Sequence, residues 1–199
     1  MNEDPHLSKH SALGKKVFDD EIHSLEIVKT RINESFDSCV SIIKMKVPPG
    51  KVVVMGVGKS GHIGKKIAAS LASTGTPSFF VHAAEAGHGD LGMITKDDVV
   101  LAISYSGSSS EFETVIAYLK RNAICLISMT KNSPSLLFDA SDISLDITIA
   151  KEACPLGLAP SASSTSALVM GDALALSIMQ ARGFGKEDYA QTHPHGALG

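Results

Sequence analysis

Residues 52–64 read VVVMGVGKSGHIG, a run of apolar β-formers that breaks into glycines and resumes as a helix. Strand, glycine turn and helix in that order is how α/β proteins hold phosphate groups, because the open amides and dipole of a helix N-terminus favour an anion. Two familiar phosphate loops fit only in part. Gly56, Gly58 and Gly61 match G-x-G-x-x-G, but a dinucleotide site also needs an acid at the tip of the second strand. That strand, SFFVH, ends on His82, and the next acid is Glu85. A triphosphate loop would need a glycine five residues before Gly58, where Val53 stands. What remains is a tight turn presenting Lys59 and Ser60 to a smaller anion, or a solvated lysine on a crowded turn.

Outward from that stretch the same grammar repeats. Strands are predicted at 51–55, 78–82, 98–104, 123–129 and 143–147. Their apolar residues run consecutively, as in parallel strands buried on both faces. Helical patterns fall between them at 62–73, 112–122, 134–139, 166–182 and 186–190. Before the first strand, apolar spacing predicts one helix over 13–46, or two broken near Ser35, stopped by Pro48, Pro49 and Gly50. Residues 1–12 read as a disordered tail. The expectation is a single α/β domain over 13–199, its core at 50–199: a doubly wound, five-stranded parallel sheet in a three-layer sandwich. Ligands in such sheets bind beyond the carboxyl ends of the strands.

Composition narrows the partners. The 199 residues carry 44% hydrophobic side chains and a formal charge of −3, without long basic runs, which argues against nucleic acid or membrane surfaces. The polar N-terminus lacks a signal-peptide core, and the apolar stretch ALVMGDALALSIM reads as too short and too charged to span a bilayer. Cys39, Cys125 and Cys154 form no CxxC pair and fit free thiols in a reducing cytoplasm. Cys154 is read as small buried filler rather than a nucleophile.

The other strand ends supply the chemistry. SYSGSSSE (104–111) packs five serines and Gly107 in front of a helix. Serine hydroxyls with a permissive glycine can surround a monophosphate with few charges. After the fifth strand, 150–167 is a long irregular loop at the ligand-binding edge, with Glu152 at its start. The edge therefore presents Lys59, His82, Glu111 and Glu152, and the tail adds His193 and His195. Carboxylates and imidazoles beside a bound phosphate point to proton transfer. Clustered carboxylates for a metal-assisted phosphoryl transfer are absent from the pattern. His82, His88, His193 and His195 have no tight zinc spacing, so an adventitious or inhibitory metal is the most expected.

Taken together, GVGKSGHIGKKIAASLASTGTPSFFVHAAEAGHGDLGMI, SYSGSSSE, and KEACPLGLAPSASSTSALVMGDALA with HPHGALG resemble the D-arabinose 5-phosphate isomerases of the sugar isomerase (SIS) domain family, from about residue 50 onward. The resemblance implies interconversion of D-ribulose 5-phosphate and D-arabinose 5-phosphate through an ene-diolate, feeding Kdo for lipopolysaccharide. It puts the family's catalytic positions on Lys59, Glu111, Glu152 and His193. Substrate contacts fall on Gly75, Thr76, His82 and His88, and the phosphate cradle on Ser60, Ser104, Ser106 and Ser109. It implies no cofactor, zinc only as an inhibitor at His82, and a cytoplasmic homotetramer with shared sites. Glu152 is expected to shuttle the proton, Lys59 to offset charge, and His193 with Glu111 to open the sugar ring. Ser108 and His195 depart from the family's usual acid and glycine, and its CBS pair is absent, as in an excised domain or a short form. A sugar-phosphate sensor lacking catalysis, or an isomerase of another sugar phosphate, is the alternative.

Overall fold

The computed structural model describes residues 5–193. Its centre is a five-stranded, all-parallel sheet: β1 Val52–Gly56, β2 Ser78–His82, β3 Val99–Ile103, β4 Cys125–Thr130 and β5 Ile143–Asp146, in the order β2-β1-β3-β4-β5. Register is continuous, with Val52 opposite both Ser78 and Val99, and Gly56 opposite both His82 and Ile103. Consecutive apolar residues in β1 serve two cores. Val52 and Val54 face one layer, and Val53 and Met55 face the other. The doubly wound three-layer arrangement is the one the runs predict.

One face carries α2 (Glu34–Lys46), α3 (Gly58–Ser73) and α7 (Ala162–Arg182), with α1 (Pro5–Lys29) packed on α7. The other carries α4 (Ala83–Ala86), α5 (Glu111–Arg121) and α6 (Leu136–Ala140). A 3-10 turn at Asp90–Met93 precedes β3, and α8 (Lys186–Thr192) follows α7. Because β1 leads outward to β2 while β3 lies on its other side, the loops after β1 and β3 diverge and leave a crevice at the carboxyl rim.

Four expectations change. Helix α1 begins at Pro5, so 5–12 is helix rather than tail. The break before α2 falls at 30–33, where Asn33 accepts from the Ser35 amide as an N-cap, and not at Ser35 itself. Helix α7 starts four residues earlier than its apolar period suggests. It is also long and apolar enough, by length and composition, to cross a membrane, so the expectation of a stretch too short and too charged fails. Half of its most apolar window is buried, against α1, α2 and α3, which makes α7 the central core helix. Gly171 permits that packing, since a Cβ there would strike the Ile67 side chain.

The amino rim is closed by a buried carboxylate. Asp98 Oδ1 accepts from the Lys51 amide at 2.7 Å, and Oδ2 accepts from the Thr95 amide at 2.7 Å and its hydroxyl at 3.0 Å. The Lys51 ammonium lies 3.3 Å from Oδ1. Burial pushes the carboxyl pKa up, but the Thr95 and Lys51 hydrogen bonds outweigh it and hold the group below its ordinary value. A depressed folded-state pKa means stability that is present above the unfolded pKa and lost as pH falls through the folded one. Asp98→Asn turns an amide toward donors and is expected to cost about 3 kcal/mol in denaturant unfolding at neutral pH. The same variant loses less stability than wild type on acidification. An unchanged midpoint would refute this role.

Candidate active site

Three loops at the carboxyl rim close on one cleft of about 430 Å3, between the ends of β1 and β3 and the start of α7. Lys59 and Ser60 come from the first turn of α3, directly after the first loop, Ser104, Ser106 and Ser109 from the second loop, and Glu152 from the third. These six are the sequence-derived candidates that the fold brings together.

The first loop owes its shape to glycine. Gly58 has φ +56°, and a Cβ on Gly56 would press on the Ser60–Gly61 backbone. The glycine pattern therefore serves a compact turn. Val57, at the N-cap of α3, supplies no side-chain cap, so the first amides of that helix stay available to an anion beside Lys59. Lys59 is exposed and makes no ion pair among the described residues.

The second loop wraps around Gly107, φ +69°, whose Cβ would collide with the Ser135 and Thr130 hydroxyls. Its amide donates to Ser104 Oγ at 3.2 Å, and the Ser108 amide donates to Ser106 Oγ at 3.3 Å, which curls the serines into a nest. Ser110, at the N-cap of α5, makes no side-chain cap, so a second helix start faces this rim.

The third loop is tied down by Glu152. Its Oε2 accepts from the Ser161 amide at 2.9 Å, the Ser161 hydroxyl at 3.0 Å and the Ser163 amide at 3.2 Å, while Oε1 accepts from the Ser163 hydroxyl. Glu152 thus caps α7 from outside. Burial alone would raise its pKa. The donors from Ser163 and Ser161 outweigh that and keep the carboxyl below its ordinary range. Ser163 and Ser164 also line the cleft, within a stretch that the sequence pattern assigns to loop. The signal was available, because serines ahead of an apolar helical period mark an N-terminus. Tyr105 also lines the cleft, and its hydroxyl accepts from the Ile149 amide at 3.3 Å.

The remaining candidates lie elsewhere in this chain. Glu111 is exposed at the start of α5 and does not line the cleft. His82 sits at the end of β2, where Nδ1 accepts from the Ala84 amide at 3.3 Å, and His88 is exposed beyond α4. Gly75 and Thr76 are at the opposite, amino rim. Gly75, φ +85°, terminates α3, with its amide bonded to the Ala72 carbonyl and the Thr76 amide to the Leu71 carbonyl. Thr76 is fully buried, so neither residue reaches the cleft of its own chain. His193 ends α8 and stacks on Tyr189 at a centroid distance of 3.9 Å, again away from the cleft. His195 lies outside the described residues. Among the described residues no group of three or more His, Cys, Asp or Glu side chains is arranged as a metal site.

Cys154 differs from expectation. It is half-buried rather than core filler, and amides of Ala159, Leu158, Leu156 and Gly157 hold its thiol below the usual pKa. Cys39 and Cys125 are buried, and burial pushes their thiols up to about 12 and about 11. A separate groove of about 530 Å3 beside β5 also contains a cation, Arg31, but Asp146 and the Thr148 carbonyl already occupy it. Among the described residues Lys59 has no such partner, which favours the serine-lined cleft for an anionic ligand.

Comparison with known proteins places the chain in a family. The chain is 56% identical over 180 residues to the arabinose 5-phosphate isomerase KdsD of Pseudomonas aeruginosa, covering 90% of this chain and 54% of that protein. It is 57% identical over 187 residues to the enzyme of the same name from Yersinia pestis, covering 94% and 56%. The chain therefore spans about half the length of the curated relatives it matches. Among solved structures, an E. coli CFT073 protein in complex with A5P superposes with a TM-score of 0.89 at 43% identity, covering 98% of this chain and 100% of that one. Residues 47–177 match the SIS domain, and the chain belongs to that family.

Proposed function

We propose that the chain interconverts D-ribulose 5-phosphate and D-arabinose 5-phosphate through an ene-diolate. The observation that carries this reading is the meeting of Lys59, the 104–109 serine nest and the Glu152 carboxylate in one cleft. The matching names of the relatives, and A5P in the solved neighbour, support the choice of substrate. The phosphate binds the serine nest and the open amides of α3, where main-chain and hydroxyl donors need little net charge. Lys59 offsets negative charge on the phosphate or on the developing ene-diolate oxygens. Glu152, ionised at neutral pH, takes the proton from one of the adjacent carbons C1 and C2 and returns it to the other. Relocating a proton requires no cofactor.

Glu111 and His193, the pair assigned to ring opening, stand outside the cleft of their own chain. This favours an assembly, a homotetramer in the reading by resemblance, in which neighbouring copies complete each site. Arabinose 5-phosphate is a precursor of Kdo, so the reaction supplies lipopolysaccharide synthesis from the cytoplasm, where three unpaired thiols are stable.

The protein incubated with ribulose 5-phosphate in D2O is expected to form arabinose 5-phosphate labelled at C2, as read by NMR. If ribose 5-phosphate accumulates instead, or nothing turns over, the proposal fails. Glu152→Gln should lower kcat by about 10²–10⁴-fold and suppress exchange. Full exchange in that variant would remove Glu152 from the proton path. Gly107→Ala, which strains the nest in substrate and transition state alike, should raise KM roughly tenfold with a smaller change in kcat. A fall in kcat at constant KM would contradict the cradle role.

A further inference from the structure

We propose that Ser163 is a positioning residue that holds the Glu152 carboxylate in place, leaving Oε1 as the oxygen that faces the substrate. The catalytic half of this statement rests on the isomerase reading above; the positioning half does not. A carboxylate offers about four lone-pair sites over its two oxygens. Oε2 receives three donors, the Ser161 amide, the Ser161 hydroxyl and the Ser163 amide, and has no capacity left. Oε1 receives only the Ser163 hydroxyl. The two oxygens are therefore unequal: Oε2 is committed to capping α7, Oε1 keeps a free site, and Glu152 lines the cleft together with Lys59 and Ser164.

The two serines have different duties. Ser161 Oγ donates to Glu152 and also accepts from the Ala153 and Cys154 amides at 3.0 and 3.3 Å, so it pins both ends of the loop. Ser163 is 4% exposed, and its hydroxyl donates to Glu152. Removing that hydroxyl deletes one donor while both backbone caps and the Ser161 hub remain. The other titratable groups around this carboxylate are Lys59 on α3, Tyr105 after β3 and Cys154 on the same loop. Lys151 is turned away to Asp20 on α1, 3.0 Å from its Oδ1. None of these donates to Glu152 among the described residues, so the serines set its proton affinity.

The test uses the whole chain labelled with 13C at glutamate side chains, with wild type, Ser163→Ala, Ser163→Thr and Ser161→Ala compared. Without substrate, Ser163→Ala is expected to move the Glu152 carboxyl titration to higher pH, and threonine, which keeps the hydroxyl, to restore it. In turnover, the acidic limb of kcat/KM should move the same way, costing about tenfold below that limb, with KM on the plateau unchanged. Ser161→Ala should shift the titration and also loosen the loop, read as faster amide exchange at 153–160. An unmoved Glu152 titration in Ser163→Ala overturns the proposal, whatever Ser161→Ala does. A moved titration with an unmoved acidic limb overturns the role of Oε1 in proton transfer. A moved titration in a protein that does not isomerise ribulose 5-phosphate supports the positioning role and rejects the isomerase reading.

Discussion

An all-parallel sheet points every following helix back along its strand, so the open amides of those helices gather at a single rim. Here α3, α5 and α7 all begin at the carboxyl edge of the sheet, and neither Val57 nor Ser110 supplies a side-chain cap at the first two. Partial positive charge accumulates where the topology also leaves a crevice between β1 and β3. That convergence is the constraint on which the site depends. A rim of this kind requires anions, and the chain supplies one of its own while leaving room for another.

The internal anion is Glu152, which accepts from the Ser161 and Ser163 amides at the start of α7 and anchors a long loop. The external one is assigned to the nest of Ser104–Ser109 and the start of α3. On the proposed reading, that division lets a protein with net charge −3 hold a phosphate beside a carboxylate. Each anion has its own helix terminus, and Lys59 stands at the same cleft as both. It also explains the low proton affinity of Glu152. Its donors keep it ionised, at some expense in basicity, and in the proposed reaction the ene-diolate is stabilised by neighbours rather than by a strong base.

Much of this was legible in the chain. The consecutive apolar runs named all five strands, because burial on both faces removes alternation. The glycine turn at 56–61 and the serine nest were visible as local chemistry, since turns and caps are specified within a few residues. Less legible were features whose meaning is set at a distance. Gly75 and Thr76 terminate α3 at the amino rim of this chain, a placement that only the packing of the layers reveals. Residues 5–12 are polar and carry no core signal, yet they extend α1. Ser161, Ser163 and Ser164 carry a local helix-start signal, but the carboxylate that caps the helix, Glu152, lies nine or more residues upstream of them, and that pairing is not local.

The sequence by itself determined the sheet, its parallel sense, the two phosphate-type loops and the presence of acids and imidazoles near strand ends, for these follow from periodicity and short-range backbone preference. Only the tertiary structure decided which of those groups share a cleft. Strand order puts the loops after β1 and β3 side by side, and the packing of α7 carries Glu152 to them. It leaves Glu111, His82, His88 and His193 outside that cleft. Proximity in a fold is settled by how layers pack, and no local pattern of residues encodes it.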